Sequence, residues 1–170
     1  MKKILYLFAV IALVTTVACN RKEQVTQGKQ AAPAEQNLAP DITVNGFNGT
    51  PLQLSSLKGK VVMLNFWATW CPPCVQETPS LSQFAAAYAG KGVVVLGISV
   101  DKDEKAYRAF LQKYNPAFLT AREFKIHEDY GTFMYPETYI IDSKGKVLQK
   151  FAEPADWMDP RMTQLIDSLL

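Results

Sequence analysis

Two kinds of apolar pattern alternate between residues 41 and 170, and their order predicts the fold. Val61-Val62-Met63-Leu64-Asn65-Phe66-Trp67 and Gly92–Val100 are nearly unbroken apolar runs, as expected of strands covered on both faces. A helical stripe follows each run. Val75, Thr78, Leu81, Phe84, Ala85 and Tyr88 recur at three and four residues until Gly90 and Gly92 stop them. Tyr107, Phe110, Leu111 and Tyr114 form the second stripe, opened by Asp103 and ended by Asn115-Pro116. Ahead of the first run, Ile42-Thr43-Val44 and Pro51-Leu52-Gln53-Leu54 flank the turn signal Asn48-Gly49 and read as a hairpin. Beyond the second stripe come a short edge strand around Phe118-Leu119 and a short helix from Phe124 to Tyr130, stopped by Gly131. A second hairpin pairs Glu137–Asp142 with Lys146–Phe151 about Ser143-Lys144-Gly145, and a last helix runs from Pro160 to Leu169. Such an order predicts an α/β sandwich around a mixed sheet. Its 130 residues suffice for one domain with a full core and are too few for two.

The first residues have a different character. Lys2 and Lys3 precede the apolar run Ile4–Val14 and the small-residue stretch Thr15-Thr16-Val17-Ala18-Cys19. That run is shorter than the roughly 20 residues a membrane-spanning helix needs, so residues 1–18 read as a cleaved export signal. The stretch resembles a bacterial lipoprotein processing site, with Thr16 where such sites usually have Leu. The resemblance implies that Cys19 receives lipid and becomes the mature N-terminus; the alternative is a plain signal peptide with an incidental cysteine. By the same resemblance Asn20, not Asp, after the lipid cysteine would direct the protein to the outer membrane of a Gram-negative cell. Residues 19–40 are rich in Gln, Ala, Lys and Pro and poor in large apolar side chains, the composition of a flexible tether. The formal charge of +2 falls away with Lys2 and Lys3, leaving 16 basic and 16 acidic residues. No basic stripe points to nucleic acid.

The chemistry concentrates in Trp70-Cys71-Pro72-Pro73-Cys74, where the first strand gives way to the first helix. Two residues between the cysteines, at the first turn of a helix, bring the sulfurs within bonding distance. Unpaired N–H groups and the helix dipole at Cys71 favour its thiolate, lowering its pKa below the roughly 8.5 of a free cysteine. Pro72 and Pro73 occupy first-turn positions where a missing N–H costs nothing. A structural disulfide would use the same two cysteines, though seldom beside a Trp and two prolines. A zinc site needs about four ligands, and beyond this pair the chain offers one histidine, His127. A reversible disulfide is the reading that remains, requiring neither metal nor cofactor. Export agrees with it, because disulfides persist outside the cytoplasm.

With these residues in view, the chain resembles the thioredoxin superfamily, and more narrowly the TlpA/ResA/CcmG (DsbE) group of exported, membrane-tethered thiol-disulfide oxidoreductases. The resemblance spans residues 41–170 and rests on Asn65–Cys74, on Glu77 with Pro79, and on Tyr135-Pro136-Glu137-Thr138-Tyr139-Ile140-Ile141-Asp142. It implies a thioredoxin-like three-layer α/β/α sandwich with a mixed central sheet and an N-terminal β-hairpin. It also implies roles: Cys71 attacks, and Cys74 resolves the mixed disulfide. Asn65 stands where thioredoxins have a buried Asp, so Glu77, three residues after Cys74, is the candidate for handling the Cys74 proton, with its own pKa raised if buried. The plain alternative is a solvated helix glutamate. Pro136 matches the cis-proline that faces the disulfide, and Tyr135 the residue whose backbone meets a substrate segment. Trp70, Pro72 and Pro73 border that contact surface. Phe66, Trp67 and Phe84 read as core, and His127 as a surface residue. Glu137 resembles the cytochrome-maturation branch, where Pro-Glu-Thr is common.

The function expected is reduction of disulfides in exported proteins, with apocytochrome c during cytochrome c maturation as the leading substrate. General reductive repair or oxidative defence is the alternative. An exported reductant also implies a membrane electron donor of DsbD/CcdA type. Two other classes lack their residues in this chain. A peroxiredoxin would need Thr three residues before its cysteine, where Ala68 stands. A copper carrier on this fold usually has three residues between its cysteines and a downstream histidine ligand, whereas this chain has two and only His127.

Overall fold

The computed structural model describes residues 37–170; the signal, Cys19 and most of the tether lie outside them. Their central element is β3 (Val61–Trp67), with β1 (Thr43–Asn45) and β2 (Pro51–Gln53) preceding it as a separate antiparallel hairpin. After β3 come α1 (Pro72–Ala87), β4 (Val93–Ser99), α2 (Glu104–Tyr114), β5 (Leu119–Arg122), the single turn α3 (Ile126–Asp129), β6 (Glu137–Ile141), β7 (Val147–Phe151) and α4 (Pro160–Asp167). The main sheet has the order β5-β4-β3-β6-β7, parallel among β3, β4 and β5 and antiparallel at β6 and β7. It is the mixed thioredoxin-like sheet expected.

Every residue of β3 is buried because the sheet is covered on both faces. On one face Val61, Met63, Val95 and Ile140 pack against Leu81 and Phe84 of α1, Tyr88 at its C-terminal cap and Ile166 of α4. On the other, Val62, Leu64, Leu96 and Ile141 meet Tyr107, Phe110 and Leu111 of α2, the hairpin's Val44, and Leu54 and Leu57. Leu54 leaves the expected strand and starts a 3-10 turn (Leu54–Leu57), which turns two leucines three residues apart into one core.

Helix boundaries follow local chemistry. The carboxylate of Asp103 accepts from the N–H groups of Lys105 and Ala106 at the start of α2, and Asn115, at φ +39°, ends it in the left-handed region. Asp159 caps α4 by accepting from Arg161 N–H. Three expectations shift. The strand after α2 runs Leu119–Arg122, past Phe118-Leu119, and is covered, since Phe47 N–H donates to Thr120 O (2.9 Å) and Gly46 bridges Ala121. The helix expected over Phe124–Tyr130 shrinks to one turn before Gly131 at φ +62°. Along the other sheet margin, Val147 N–H donates to Asn37 O and Ala39 N–H to Gly145 O, so the tether expected up to residue 40 is bound to the sheet from Asn37.

Candidate active site

The end of β3 is tied down before the cysteines begin. Val100 N–H donates to Trp67 O (2.9 Å), and the buried Asp101 carboxylate accepts from Thr69 N–H (2.9 Å), Thr69 Oγ1 (2.6 Å) and Ser99 Oγ (2.6 Å). Cys71 N–H then donates to Ala68 O, and Cys71 becomes the N-cap of α1, accepting at Sγ from Cys74 N–H (3.3 Å). Pro72 and Pro73 follow in the first turn, where helical N–H groups have no partner to lose. Cys71 and Cys74 are joined as a disulfide, with Cα atoms 5.3 Å apart.

Across from the disulfide runs the segment between α3 and β6. The Tyr135–Pro136 bond is cis, as the resemblance implied. Tyr135 O lies 3.5 Å from Cys71 Sγ, and the Tyr135 ring meets Trp70 edge-on at 5.8 Å. Cys71 and Cys74 are buried, while Trp70, just before Cys71, and Phe133 and Met134, just before Tyr135, are 61%, 77% and 64% exposed. Exposed large apolar side chains on the two segments that flank a buried disulfide fit a contact surface.

Asn65 does not titrate and is committed elsewhere: its Nδ2 donates to Thr138 Oγ1 across β3 and β6 (2.9 Å). The acid near Cys74 is Glu77, one helical turn further along α1 and only 4% exposed. Burial pushes its pKa up to about 7, against the opposing effect of hydrogen bonds from the Trp157 indole and the Ala155 backbone. The alternative of a solvated helix glutamate is therefore set aside. Among the described residues no hydrogen bond links Glu77 to either sulfur of the oxidised pair. Glu77 is also among the residues lining an open cleft of about 480 Å³, with Gln76, Pro79, Ser80, Ala155 and Met158.

Three side chains around the site have surroundings that the sequence does not announce. Trp157 is fully buried and lies 80 residues from its partner Glu77; an aromatic just before the Asp159-Pro160 helix start signals burial, not a partner. Asp101 carries no local signal, because two of its donors come from Thr69, 32 residues away. His127 was expected on the surface but is half-buried, its Nδ1 2.7 Å from Thr132 O.

A disulfide capping a helix, a facing cis-proline and a buried acid on the same helix together define a thioredoxin-like thiol-disulfide oxidoreductase. The comparisons agree with that class. The redoxin family model matches residues 34–166. The thioredoxin-like protein YneN of Bacillus subtilis is 40% identical over 127 residues, covering 73% of this chain and 75% of that protein. The thiol-disulfide oxidoreductase ResA of Bacillus cereus is 35% identical over 131 residues, 76% of this chain and 71% of ResA. A crystal structure of a Chlorobium tepidum protein assigned as thiol:disulfide interchange protein DsbE superposes with a TM-score of 0.73 at 32% identity, covering 78% of this chain and 95% of that one. The chain belongs to the redoxin family, within its TlpA/ResA/CcmG group of thiol-disulfide oxidoreductases.

Proposed function

We propose that this protein is exported, held at a membrane by lipid on Cys19, and reduces disulfides in other exported proteins, apocytochrome c foremost. The observation that carries the reading is the Cys71–Cys74 disulfide at the N-terminus of α1, facing Tyr135, with exposed Trp70 beside it and exposed Phe133 and Met134 just before Tyr135. Pro72 and Pro73 lie between the two cysteines on the helix side.

In the reduced protein the Cys71 thiolate attacks one sulfur of a substrate disulfide. That S–S bond breaks, a substrate thiolate leaves, and a mixed disulfide forms on Cys71. Cys74 then loses its proton to the Glu77 carboxylate and attacks Cys71 Sγ, which expels the second substrate thiolate and closes the disulfide present in this structure. Two electrons pass from the dithiol to the substrate. A pKa of about 7 suits Glu77 to take a proton and return it near neutral pH. Recharging requires a dithiol donor, for which a membrane protein of DsbD/CcdA type is the fitting class. Pro136 closes the site opposite the cysteines without an N–H to compete for the substrate backbone.

Export is supported by the signal-like residues 1–18, and the apocytochrome assignment by Pro136-Glu137-Thr138. The test is to mix the reduced full chain with an oxidised peptide carrying Cys-x-x-Cys-His, the haem-attachment pattern, and with a peptide of the same composition in scrambled order. Faster reduction of the ordered peptide is expected. Equal rates would favour general reductive repair, and no reduction of either by a chain that Cys71→Ser inactivates in no other assay would remove the reductase reading.

A further inference from the structure

His127 belongs to no part of the chemistry described so far, yet it is bonded to the segment that faces the disulfide. Its Nδ1 lies 2.7 Å from Thr132 O. A carbonyl oxygen only accepts, so Nδ1 carries the hydrogen and donates. In return Thr132 N–H donates to His127 O (2.9 Å). The ring then meets Tyr135 edge-on at 5.9 Å and Phe133 at 6.5 Å, and Tyr135 in turn meets Trp70 at 5.8 Å. A line of side chains therefore runs from His127 through Tyr135 to the residue preceding Cys71.

The anchoring is selective. Thr132 is fully buried and Pro136 is buried, whereas Phe133 and Met134 between them stand 77% and 64% exposed. The exposed stretch is thus held at its two ends. At the Thr132 end the ties are the two bonds with His127 and a contact from Thr132 Oγ1 to Tyr139 OH (3.0 Å). Gly131, at φ +62°, makes the turn that brings Thr132 back over His127.

We propose that His127 is a positioning residue for thiol-disulfide exchange: its Nδ1–H holds Thr132 so that Tyr135 meets an incoming substrate segment at a fixed distance from Cys71. It touches neither sulfur nor substrate. Its effect is to keep a contact surface preorganised, which lowers the cost of ordering that surface when substrate arrives. The proposal rests on the reading of Tyr135 as a substrate contact.

Two variants separate the hydrogen bond from the ring. His127→Asn keeps an N–H donor near the Nδ1 position without the ring, and His127→Phe keeps the ring contacts without the donor. The reduced full chain is assayed with a short peptide closed by an intramolecular disulfide and with bis(2-hydroxyethyl) disulfide, which offers no backbone to Tyr135. His127→Phe is expected to raise KM for the peptide about fivefold, the effect of one lost neutral hydrogen bond, with kcat and the small-disulfide rate unchanged. His127→Asn is expected to stay within about twofold of the parent for both substrates. An unchanged peptide KM in His127→Phe overturns the proposal. Equal losses on both substrates in both variants also overturn it, in favour of a purely scaffolding histidine. A parent protein that treats peptide and small disulfide alike would instead remove Tyr135 as a substrate contact, and the clamp with it.

Discussion

The indole N–H of Trp157 donates to the carboxylate of Glu77, joining the loop before α4 to the middle of α1 across 80 residues of sequence. Ser80 reinforces the junction, since its Oγ lies 3.3 Å from both Trp157 N and Ala155 O. Burial raises the Glu77 pKa to about 7, and the indole opposes a further rise. The proton role proposed for Glu77 makes Trp157, far from the cysteines, a determinant of the pH dependence of reduction. For Glu77→Gln, the inflection near pH 7 in the rate of mixed-disulfide resolution is expected to vanish. For Trp157→Phe it is expected to move upward by about one pH unit, because the charged form loses a donor. Stopped-flow exchange across pH 5 to 9 checks both, and profiles matching the parent would contradict the proton role of Glu77.

The same carboxyl makes stability pH-dependent. Between the ordinary carboxylate value of 4.5 and about 7 the native protein holds a proton that the unfolded chain has lost, so unfolding free energy falls as pH rises through that window. The loss amounts to about 3 kcal/mol. Glu77→Gln keeps an oxygen for the Trp157 donor and has no charge to bury. Urea unfolding of the oxidised proteins is expected to show the variant about 3 kcal/mol more stable at pH 8 and nearly equal at pH 4. Parallel pH profiles would show that Glu77 is not a buried acid in solution.

Asp101 tests the framework under the cysteines. Its buried carboxylate accepts three hydrogen bonds, two of them from Thr69. Asp101→Ala strands those donors and is expected to cost about 3 kcal/mol in urea unfolding. A change below about 0.5 kcal/mol would show that the loop holds without it.

Gly97 tests the packing behind the site. A Cβ there would lie 2.8 Å from Phe118 Cε2 and 3.0 Å from Trp67 Nε1, closer than side-chain contacts allow, so the buried Trp67 or the half-buried Phe118 must shift. Gly97→Ala is therefore expected to destabilise the protein by about 2 kcal/mol, read as a lower urea midpoint. A stabilised variant would contradict this packing.

What was readable in the chain depended on the range of the cause. β3, α1 and the caps at Asp103 and Asn115 follow from periodicity and capping within a few residues. β5 extends beyond the edge strand expected around Phe118-Leu119 because Leu119-Thr120-Ala121-Arg122 has no marked alternation; it becomes a strand by pairing with β4 and under the hairpin at Gly46. Within the site, Cys71, Cys74 and Glu77 lie on one helix and its N-cap, so their spacing together with the family resemblance related them. Trp157 and Asp101 could not be placed, because their partners arrive from distant segments. His127 shows a subtler limit. Its partner is only five residues away, but a backbone carbonyl becomes its acceptor through the turn at Gly131, which no side-chain pattern announces.

The central claim is that Cys71 and Cys74 form a reversible couple poised to reduce. The most direct measurement equilibrates the full chain with a dithiol redox buffer and reads the thiol state by alkylation and mass, with Cys71→Ala as control. The expected result is a two-electron couple with a midpoint near or below the roughly −270 mV of thioredoxin. A midpoint near the roughly −120 mV of a strong oxidant would reverse the direction of electron flow, and the absence of a reversible couple would contradict the account altogether.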